Sequence, residues 1–151
     1  MRRKDREVTD HAEILEIMSR CDVVRLAFNT DAAPYILPVN FGMEPDGMTL
    51  YIHGAREGEK YRWLERDNRV SFEMDCAHAL ILEDGNCAMN YESVIGWGYV
   101  DVLEDDAQRQ QALKKLMEHY RPAHFPVDMR PAAVTTVLRL QVQGMTAKRR
   151  K

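Results

Sequence analysis

The hydrophobic pattern changes its period several times along the chain, and these changes divide it into predicted helices and strands. Apolar residues three and four positions apart indicate a helix, while alternation with period two is typical of a strand with one buried face. Helices are predicted over about residues 10–21, 59–67 and 105–120. Thr9 or Asp10 can cap the first helix, and Glu13 lies three positions after Asp10, as in a capping box.

Short apolar segments bounded by turn-forming residues predict about six antiparallel strands. These lie at about residues 23–28, 34–43, 48–53, 69–75, 93–103 and 135–142. Pro38 lies inside the second strand and cannot donate a ladder hydrogen bond, which predicts an edge or a bulge there. A smaller hairpin or excursion of undefined register is predicted over residues 77–90. A loop with Pro122, Pro126 and Pro131 precedes the last strand.

The predicted connections between strands indicate the fold class. Turns rather than helices join most of the strands; the segment Pro45-Asp46-Gly47, for example, separates the two strands of a predicted hairpin. Strands joined in this way favour an antiparallel sheet or a small barrel over a doubly wound parallel sheet. The predicted fold is therefore mainly β, a β-barrel with flanking helices, with residues 1–151 forming one domain.

Composition and charge narrow the class of protein further. The chain is 45% hydrophobic and 30% charged, as in a globular protein, and its net charge of -3 does not favour binding to nucleic acid. No signal peptide and no membrane-spanning apolar segment is found, so a cytoplasmic protein without a membrane partner is expected. The three cysteines are expected to remain reduced thiols. Basic residues at 2–6 and 148–151 form either solvated tails or, near the C-terminus, a phosphate contact.

Residues 51–60 combine a strand end, a glycine-containing loop and a cation. His53 ends the strand, and its imidazole can form hydrogen bonds or move a proton near neutral pH. Gly54 and Gly58 allow backbone N–H groups to approach an anion closely, and Lys60 adds a positive charge. The combination predicts an anion site, while taken singly His53 also fits a structural histidine and Lys60 a solvated helix residue.

Two further groups of residues carry side chains that can bind ligands. Ser93 lies at the start of a strand, where its hydroxyl can form a hydrogen bond with a ligand. Cys76, His78 and Cys87 are metal ligands by type, but they lack the paired spacing of a zinc site, and no metal is predicted. The glycine motifs of dinucleotide and triphosphate sites are absent from the sequence.

Four motifs, taken in order, resemble those of the pyridoxamine 5'-phosphate oxidase-like flavoproteins, and within them most closely the nitroimidazole-resistance (Nim) group. The motifs run from Pro38 to Gly42, Leu50 to Lys60, Val70 to Asp75 and Tyr91 to Gly96. The resemblance covers nearly the whole chain. It implies a split β-barrel homodimer that binds FMN in a groove at the subunit interface.

The resemblance also implies a role for particular residues of this chain. The implied cofactor-binding residues are Pro38, Val39 and Asn40 along the flavin ring, Ile52, His53 and Gly54 beside it, Lys60 at the phosphate, and Ser93 and Val94, which complete the pocket. His53 matches the active-site histidine of the Nim group. Glu92 departs from the pattern, because many relatives carry a basic residue there. Lys60 alone undercompensates a phosphate charge of about -1.5 to -2, which leaves Arg56 or a basic tail residue as a second cation.

The function implied by the resemblance is that of an FMN-dependent, nitroreductase-like oxidoreductase. Its substrates would be nitroaromatic or other small electron-poor molecules, and a reduced nicotinamide would supply the electrons. His53 would position the substrate or assist its protonation. Two alternatives stay open: a non-catalytic split-barrel protein that binds flavin or haem, and an enzyme with pyridoxamine 5'-phosphate oxidase-type activity.

Overall fold

Eight antiparallel strands and three α-helices are found in the structure, a computed structural model that describes residues 2–83, 85–120 and 135–150. The prediction of a mainly β fold with flanking helices is confirmed, but the sheet has eight strands rather than about six. The predicted loop with Pro122, Pro126 and Pro131 lies outside the described residues. Among those residues, no helix is long and apolar enough to cross a membrane.

The elements alternate along the chain between short strands, long strands and single helices. The strands are β1 (Glu7–Val8), β2 (Val24–Phe28), β3 (Tyr35–Val39), β4 (Gly42–Met43), β5 (Thr49–Gly54), β6 (Arg69–Glu83), β7 (Asn86–Leu103) and β8 (Thr136–Arg150). The helices are a 3₁₀ turn (Lys4–Arg6), α1 (His11–Arg20), α2 (Glu59–Arg66) and α3 (Asp106–Tyr120).

The two strands at the ends of the sheet are joined directly by the chain. Its order is β3-β2-β6-β7-β8-β5-β4, with β1 paired to β8 outside this path. β3 and β4 lie at opposite ends of the order, yet only Asn40 and Phe41 separate them along the chain. The chain therefore passes directly from one edge of the sheet to the other, and the sheet curves into a barrel in which β3 and β4 remain edge strands. Pro38, in β3, lies in an edge strand, which confirms one of its two predicted placements.

The barrel interior is filled by apolar side chains from every second strand position. Val70, Phe72 and Met74 are buried on the inner face of β6, while Ser71 on the outer face is exposed. This confirms the predicted alternation. α1 adds its own apolar face to the same core, and its first turn is capped as predicted, because the Asp10 carboxylate accepts hydrogen bonds from two backbone N–H groups.

The prediction of one strand over residues 34–43 is wrong, because Asn40 and Phe41 interrupt it and divide it into β3 and β4. Two further predicted boundaries are also wrong, and a β-bulge explains the first of these. The segments predicted as a strand at 69–75, a small hairpin at 77–90 and a strand at 93–103 form a single long hairpin, β6 and β7. The register shifts by one residue between Cys76 and Ala79, and Ala77 has a φ of 56°, a conformation that suits a bulge better than a regular strand. The bulge interrupts the period-two pattern by which a continuous strand is recognised in a sequence.

The second wrong boundary is that of the last strand, which was predicted to end at residue 142. β8 continues to Arg150 and pairs with β7 as far as Tyr91. Lys148 to Arg150 are therefore strand residues and not a solvated tail. Ion pairs allow a basic segment to remain in the sheet, because Arg149 contacts carboxylates on both α1 and β7.

α3 packs directly on the backbone of β4. An ideal Cβ atom built on Gly42 would lie 2.4 Å from the backbone nitrogen of Leu116, and Leu116 is buried. Backbone atoms of a helix cannot yield as a flexible side chain can. The glycine therefore sets the distance between α3 and the strand that leads to the candidate site.

Substitution of this glycine is expected to reduce stability. Gly42→Ala should lower the free energy of unfolding by about 1–3 kcal/mol, because α3 must move to accommodate the new methyl group. Urea denaturation followed by circular dichroism measures the change. Gly54→Ala is the matched control, since a Cβ there would lie an ordinary 3.4 Å from Lys60 Nζ. Equal stability losses in the two variants would contradict the close packing of α3.

Candidate functional site

The centre of the candidate site is the end of β5, where His53 faces away from the barrel core. β4 pairs with β5 through Gly42 opposite Tyr51. Asn40 lies two residues before Gly42 and His53 two residues after Tyr51, at the same end of this strand pair, and both side chains are exposed. This end of the pair therefore carries an exposed amide and an exposed imidazole. Both groups can form hydrogen bonds with a polar, planar ligand.

Lys60 folds back over the loop that follows His53. Its Nζ atom lies 3.4 Å from the position of a Cβ on Gly54 and 3.6 Å from that of a Cβ on Gly58. A side chain at either glycine would occupy the space beside the ammonium group. The Tyr61 hydroxyl donates a 2.7 Å hydrogen bond to the Ala55 carbonyl and fixes the same loop to α2. The predicted grouping of two glycines and a lysine is thus found in the structure.

The electrostatic surroundings of Lys60 favour an anionic ligand. Burial lowers the pKa of the Lys60 ammonium group, and within the described part of the chain no carboxylate counteracts this effect. Its neighbour Glu59 approaches Arg62 instead, at 4.0 Å. The ammonium group lies 4.4 Å from the centre of the Tyr61 ring, a cation–π contact. A partly buried cation without a carboxylate partner is well suited to binding a phosphate.

Three of the residues predicted to bind a cofactor point wholly or partly into the barrel. Ile52 is 1% exposed and Val94 is 0% exposed, and both belong to the core, with Val39 packed against it. In the single chain, Ile52 and Val94 can therefore offer a ligand only backbone atoms. Pro38, by contrast, faces outward and is exposed, on the same side of the sheet as Asn40.

Ser93 lies apart from the group around His53. On β8, His53 pairs with Val137 and Ser93 pairs with Lys148, eleven positions further along the strand (137 to 148). The shorter route between the two groups crosses β2 and β6 to β3. Three strand spacings of about 4.8 Å separate the Val39 end of this route from β7, or about 14 Å. The structure thus brings Asn40, His53, Gly54 and Lys60 together and leaves Ser93 across the outer face of the barrel.

The surface between these two groups carries charged residues that sequence reasoning missed. Arg25 on β2 donates hydrogen bonds to Asp75 at 2.5 Å and to Glu73 at 3.1 Å. His78 Nε2 lies 2.7 Å from the other oxygen of Asp75. A cavity of about 420 Å³ adjoins this cluster. Arg25 and its partner Asp75 are 50 positions apart in the sequence, so the only signal was a charged residue at an outward position of each strand.

A second cavity, of about 490 Å³, lies beside α2. Tyr61 and Leu64 from the helix and Val100 and Val102 from β7 contribute to its walls. Tyr61 also contacts Lys60, so this cavity adjoins the proposed anion site. Both cavities have room for small molecules.

Glu92, which departs from the family pattern, has a structural role. It is 6% exposed, and it accepts hydrogen bonds from Arg20 and, at 2.6 Å, from Arg149 Nε. Burial acts to raise the pKa of Glu92, but the hydrogen bonds and charges of the two arginines outweigh it and hold this pKa below its ordinary value. Arg149 also contacts Glu13 at 2.8 Å. These contacts occupy Arg149, which is therefore poorly placed to serve as the second phosphate cation.

The metal-binding residues considered in the sequence do not form a site. Among residues 2–83, 85–120 and 135–150, no group of three or more histidines, cysteines and carboxylates could hold a metal ion. Cys76 lies near the buried Cys21, and the two thiols share the Ile17 carbonyl as an acceptor. Burial raises the pKa of both thiols, so both are expected to be protonated and unreactive at neutral pH.

Residues 10–149 match the family model of pyridoxamine 5'-phosphate oxidase, and the chain therefore belongs to this family of barrel proteins. Its structure is similar to that of a protein from Bacteroides thetaiotaomicron provisionally named as a 5-nitroimidazole antibiotic resistance protein. The two share 29% identity over 94% of this chain and 85% of that one, with a TM-score of 0.82.

Two further solved structures share the fold at lower identity. The flavocytochrome Anf3 from Azotobacter vinelandii is 20% identical over 100% of this chain and 72% of its own, with a TM-score of 0.82. The FAD- and haem-binding protein from Mycobacterium smegmatis is 20% identical over 97% and 74%, with a TM-score of 0.80. A comparison with curated proteins found no match.

Proposed function

We propose that this protein is an FMN-dependent oxidoreductase that reduces nitroaromatic or other small electron-poor molecules with electrons from a reduced nicotinamide. Membership of the pyridoxamine 5'-phosphate oxidase family supports an oxidoreductase. The 29% identity to a protein named for nitroimidazole resistance supports the substrate class. The flavocytochrome and the FAD- and haem-binding protein among its structural neighbours support a flavin in a barrel of this kind.

The arrangement around Lys60 is the observation that carries this proposal. A partly buried ammonium group, without a carboxylate partner among the described residues, lies over two glycines at the end of the strand that carries His53. The phosphate of FMN fits this cation and the backbone N–H groups beside it. Asn40 and His53 then provide hydrogen-bonding groups next to the phosphate site, where the flavin ring would lie.

A second copy of the chain would complete this site. Ser93 lies across the outer face of the barrel from His53 and is half-buried in the single chain. Ile95, Trp97 and Tyr99 follow Ser93 on the outer face of β7, and all three are exposed. Exposed aromatic and aliphatic residues in one row are typical of an interface. A homodimer with the flavin between its subunits would cover this row and enclose the groove.

When bound, FMN supplies the electron transfer, and the protein supplies binding and proton delivery. Reduction of a nitro group to a nitroso group takes up two electrons and two protons and releases water. A reduced nicotinamide gives a hydride, so one further proton completes the balance. In this proposal the imidazole of His53, which is exposed, would orient the nitro group and deliver that proton.

Replacement of His53 tests this role. In the FMN-loaded protein, His53→Gln should slow the oxidation of the reduced flavin by a nitroimidazole about 100-fold, the loss typical of a missing general acid. The FMN dissociation constant should change little, because Lys60 still holds the phosphate. Anaerobic stopped-flow absorbance measures the rate. His11→Gln is the matched control, since His11 lies on α1 and contacts the Asp46 carbonyl.

Two results would contradict parts of this proposal. An unchanged rate in His53→Gln would show that the histidine does not assist the reaction. Reduced flavin that persists in the unaltered protein with a nitroimidazole present would contradict nitro reduction itself, while leaving flavin binding intact.

The second candidate is a non-catalytic protein that binds flavin or haem, and the names of two structural neighbours favour it. A haem-type spectrum, or a bound flavin that is inert to reduced nicotinamide and to acceptors, would indicate this function. Oxidation of pyridoxamine 5'-phosphate, suggested by the family's name, ranks third. Its test is the formation of hydrogen peroxide when the FMN-loaded protein is given pyridoxamine 5'-phosphate in air.

A further inference from the structure

The hairpin of β6 and β7 extends well beyond the barrel. β8 pairs with β7 only from Tyr91 onward, and β2 pairs with β6 only between Val70 and Glu73. Residues 77–83 and 85–90 therefore form a ribbon of two strands that no third strand supports among the described residues. An isolated two-stranded ribbon is marginally stable in water unless one of its faces is covered. This segment is called the ribbon below.

One face of the ribbon is apolar. Leu80 pairs with Met89 and Leu82 pairs with Cys87, so their side chains lie on the same face. Leu80, Leu82 and Met89 are 56%, 69% and 45% exposed. Large apolar side chains that are this exposed, and adjacent to one another, are characteristic of surfaces that another molecule covers.

The β-bulge sets which face of the ribbon is apolar. Before the bulge, the odd-numbered residues of β6 face outward, as Ser71 and Glu73 do. The extra residue between Cys76 and Ala79 reverses this alternation, so that Leu80 and Leu82 face outward instead. Without it, both leucines would lie on the opposite side of the hairpin. The bulge thus joins the apolar face of the ribbon to the outer face of the barrel.

The result is one continuous apolar stripe. Along β7 the outward positions continue from Met89 through Ser93 to three large side chains, Ile95, Trp97 and Tyr99, which are 52%, 43% and 42% exposed. The stripe consists of the odd-numbered residues of β7 from Cys87 to Tyr99, together with Leu80 and Leu82 of β6, and none of these residues is charged. From position 87 to position 99 the stripe is about 40 Å long, at about 3.3 Å per residue.

We propose that the ribbon is an arm that packs against a second copy of this chain. The inference rests on the homodimer described under the proposed function, and it names a part of the interface that lies outside the barrel. The stripe runs past Ser93, so a second copy that covers the groove also meets the ribbon. In a two-fold dimer each copy contributes the same stripe, and each ribbon lies along the other copy.

The area and the charge of the stripe both suit a second copy. On the barrel the stripe is one strand wide, since Glu73 and Asp75 are the outward neighbours of Ile95 and Ser93 on β6. One strand spacing in width and about 40 Å in length give roughly 190 Å², about a quarter of what one partner buries in a standard interface of about 800 Å², so the stripe would form the apolar centre of a larger interface with a polar rim. Ile36 on β3 is 61% exposed and adds a further apolar side chain to the outer face, on the far side of β2 and β6 from β7. The nearby Arg25 is neutralised by Asp75 and Glu73 within its own chain, so it would not repel the same residue of another copy.

The test compares two neighbouring positions on opposite faces of the ribbon. Leu82→Glu places a charge in the stripe, and Ala79→Glu places the same charge on the opposite face, where Ala79 is also exposed. Sedimentation velocity of the FMN-loaded protein over a dilution series gives the dimer dissociation constant. Leu82→Glu should raise this constant by about tenfold or more, as expected for a buried apolar contact. Ala79→Glu should change it less than about twofold.

A third variant separates failure of the arm from failure of the dimer. Trp97→Glu places a charge in the part of the stripe on the barrel and should also dissociate the dimer. If Trp97→Glu dissociates the dimer while Leu82→Glu leaves it unchanged, the arm is wrong and the barrel interface stands. If the unaltered protein is a monomer at all concentrations, both the arm and the proposed dimer are wrong.

Hydrogen exchange provides a second readout that needs no substitution. The amide groups of residues 77–83 and 85–90 should exchange slowly in the dimer and quickly when the protein is diluted below its dissociation constant, since an uncovered ribbon frays. Exchange in the ribbon that does not depend on protein concentration would overturn the inference.

Discussion

Replacement of Lys60 with methionine is expected to weaken FMN binding by about 10- to 100-fold, because a hydrogen bond to a charged group contributes about 1.5–3 kcal/mol. Riboflavin, which has the same ring but no phosphate, should bind equally well to the unaltered protein and to Lys60→Met. The difference between the two ligands isolates the phosphate contact. Methionine retains most of the length of the lysine side chain, so the loop of Gly54 and Gly58 keeps a side chain beside it.

Quenching of flavin fluorescence during titration of the protein measures both dissociation constants. Lys115→Met is the matched control, because Lys115 lies on α3 and contacts Glu44 and Glu118 rather than the loop. The control should bind both ligands normally. An equal loss of FMN and riboflavin binding in Lys60→Met would mean that the substitution disturbs the site as a whole. An unchanged FMN affinity would place the phosphate elsewhere.

Glu92→Gln is expected to have the largest effect on stability, a loss of about 2–3 kcal/mol at neutral pH. Removal of one partner from a buried ion pair costs about 3–5 kcal/mol. We expect the loss to lie at or below the lower end of this range, because the side chain of Arg20 is 46% exposed and water already screens part of its charge. The variant should also loosen the end of β8, since Arg149 loses its buried partner. Urea denaturation measures the loss.

The pH dependence of this loss follows from the lowered pKa of Glu92. A carboxylate whose pKa is lower in the folded state than in the unfolded state stabilises the protein above the unfolded value, about 4.3 for glutamate, and this contribution is lost as the pH falls toward the folded value. The gap in stability between the unaltered protein and Glu92→Gln should therefore shrink below about pH 4.3.

A surface substitution provides the comparison for Glu92→Gln. Glu83→Gln, at an exposed position near the tip of the ribbon, should change stability by less than about 0.5 kcal/mol at any pH. A pH-independent difference between the unaltered protein and Glu92→Gln would contradict a buried, ionised Glu92.

The elements that could be predicted from the sequence are those set by local patterns. The cap at Asp10, the alternation from Val70 to Met74 and the turn after Pro45 each depend on residues a few positions apart, and the structure contains all three. The length of β8 could not be predicted in this way. Arg149 remains in a strand because Glu92 and Glu13, 57 and 136 positions away, neutralise it.

The same distinction between local and long-range patterns applies to the candidate site. The grouping of Gly54, Gly58 and Lys60 could be predicted because all three lie within seven positions of one loop. The distance between Ser93 and His53 could not, because it depends on the order of the strands around the barrel. The face on which Leu80 and Leu82 lie could not be predicted either, because a single inserted residue reverses it and no local pattern marks the bulge.

Binding of FMN by this chain underlies the proposed function, and it can be tested by the visible spectrum of the protein. The protein is mixed with FMN, freed of unbound ligand by gel filtration, and its spectrum is recorded before and after addition of a reduced nicotinamide. We expect a protein-bound flavin spectrum that bleaches on reduction and returns when a nitroimidazole is added. A colourless protein after gel filtration, or a haem-type spectrum in place of the flavin spectrum, would contradict FMN binding by this chain.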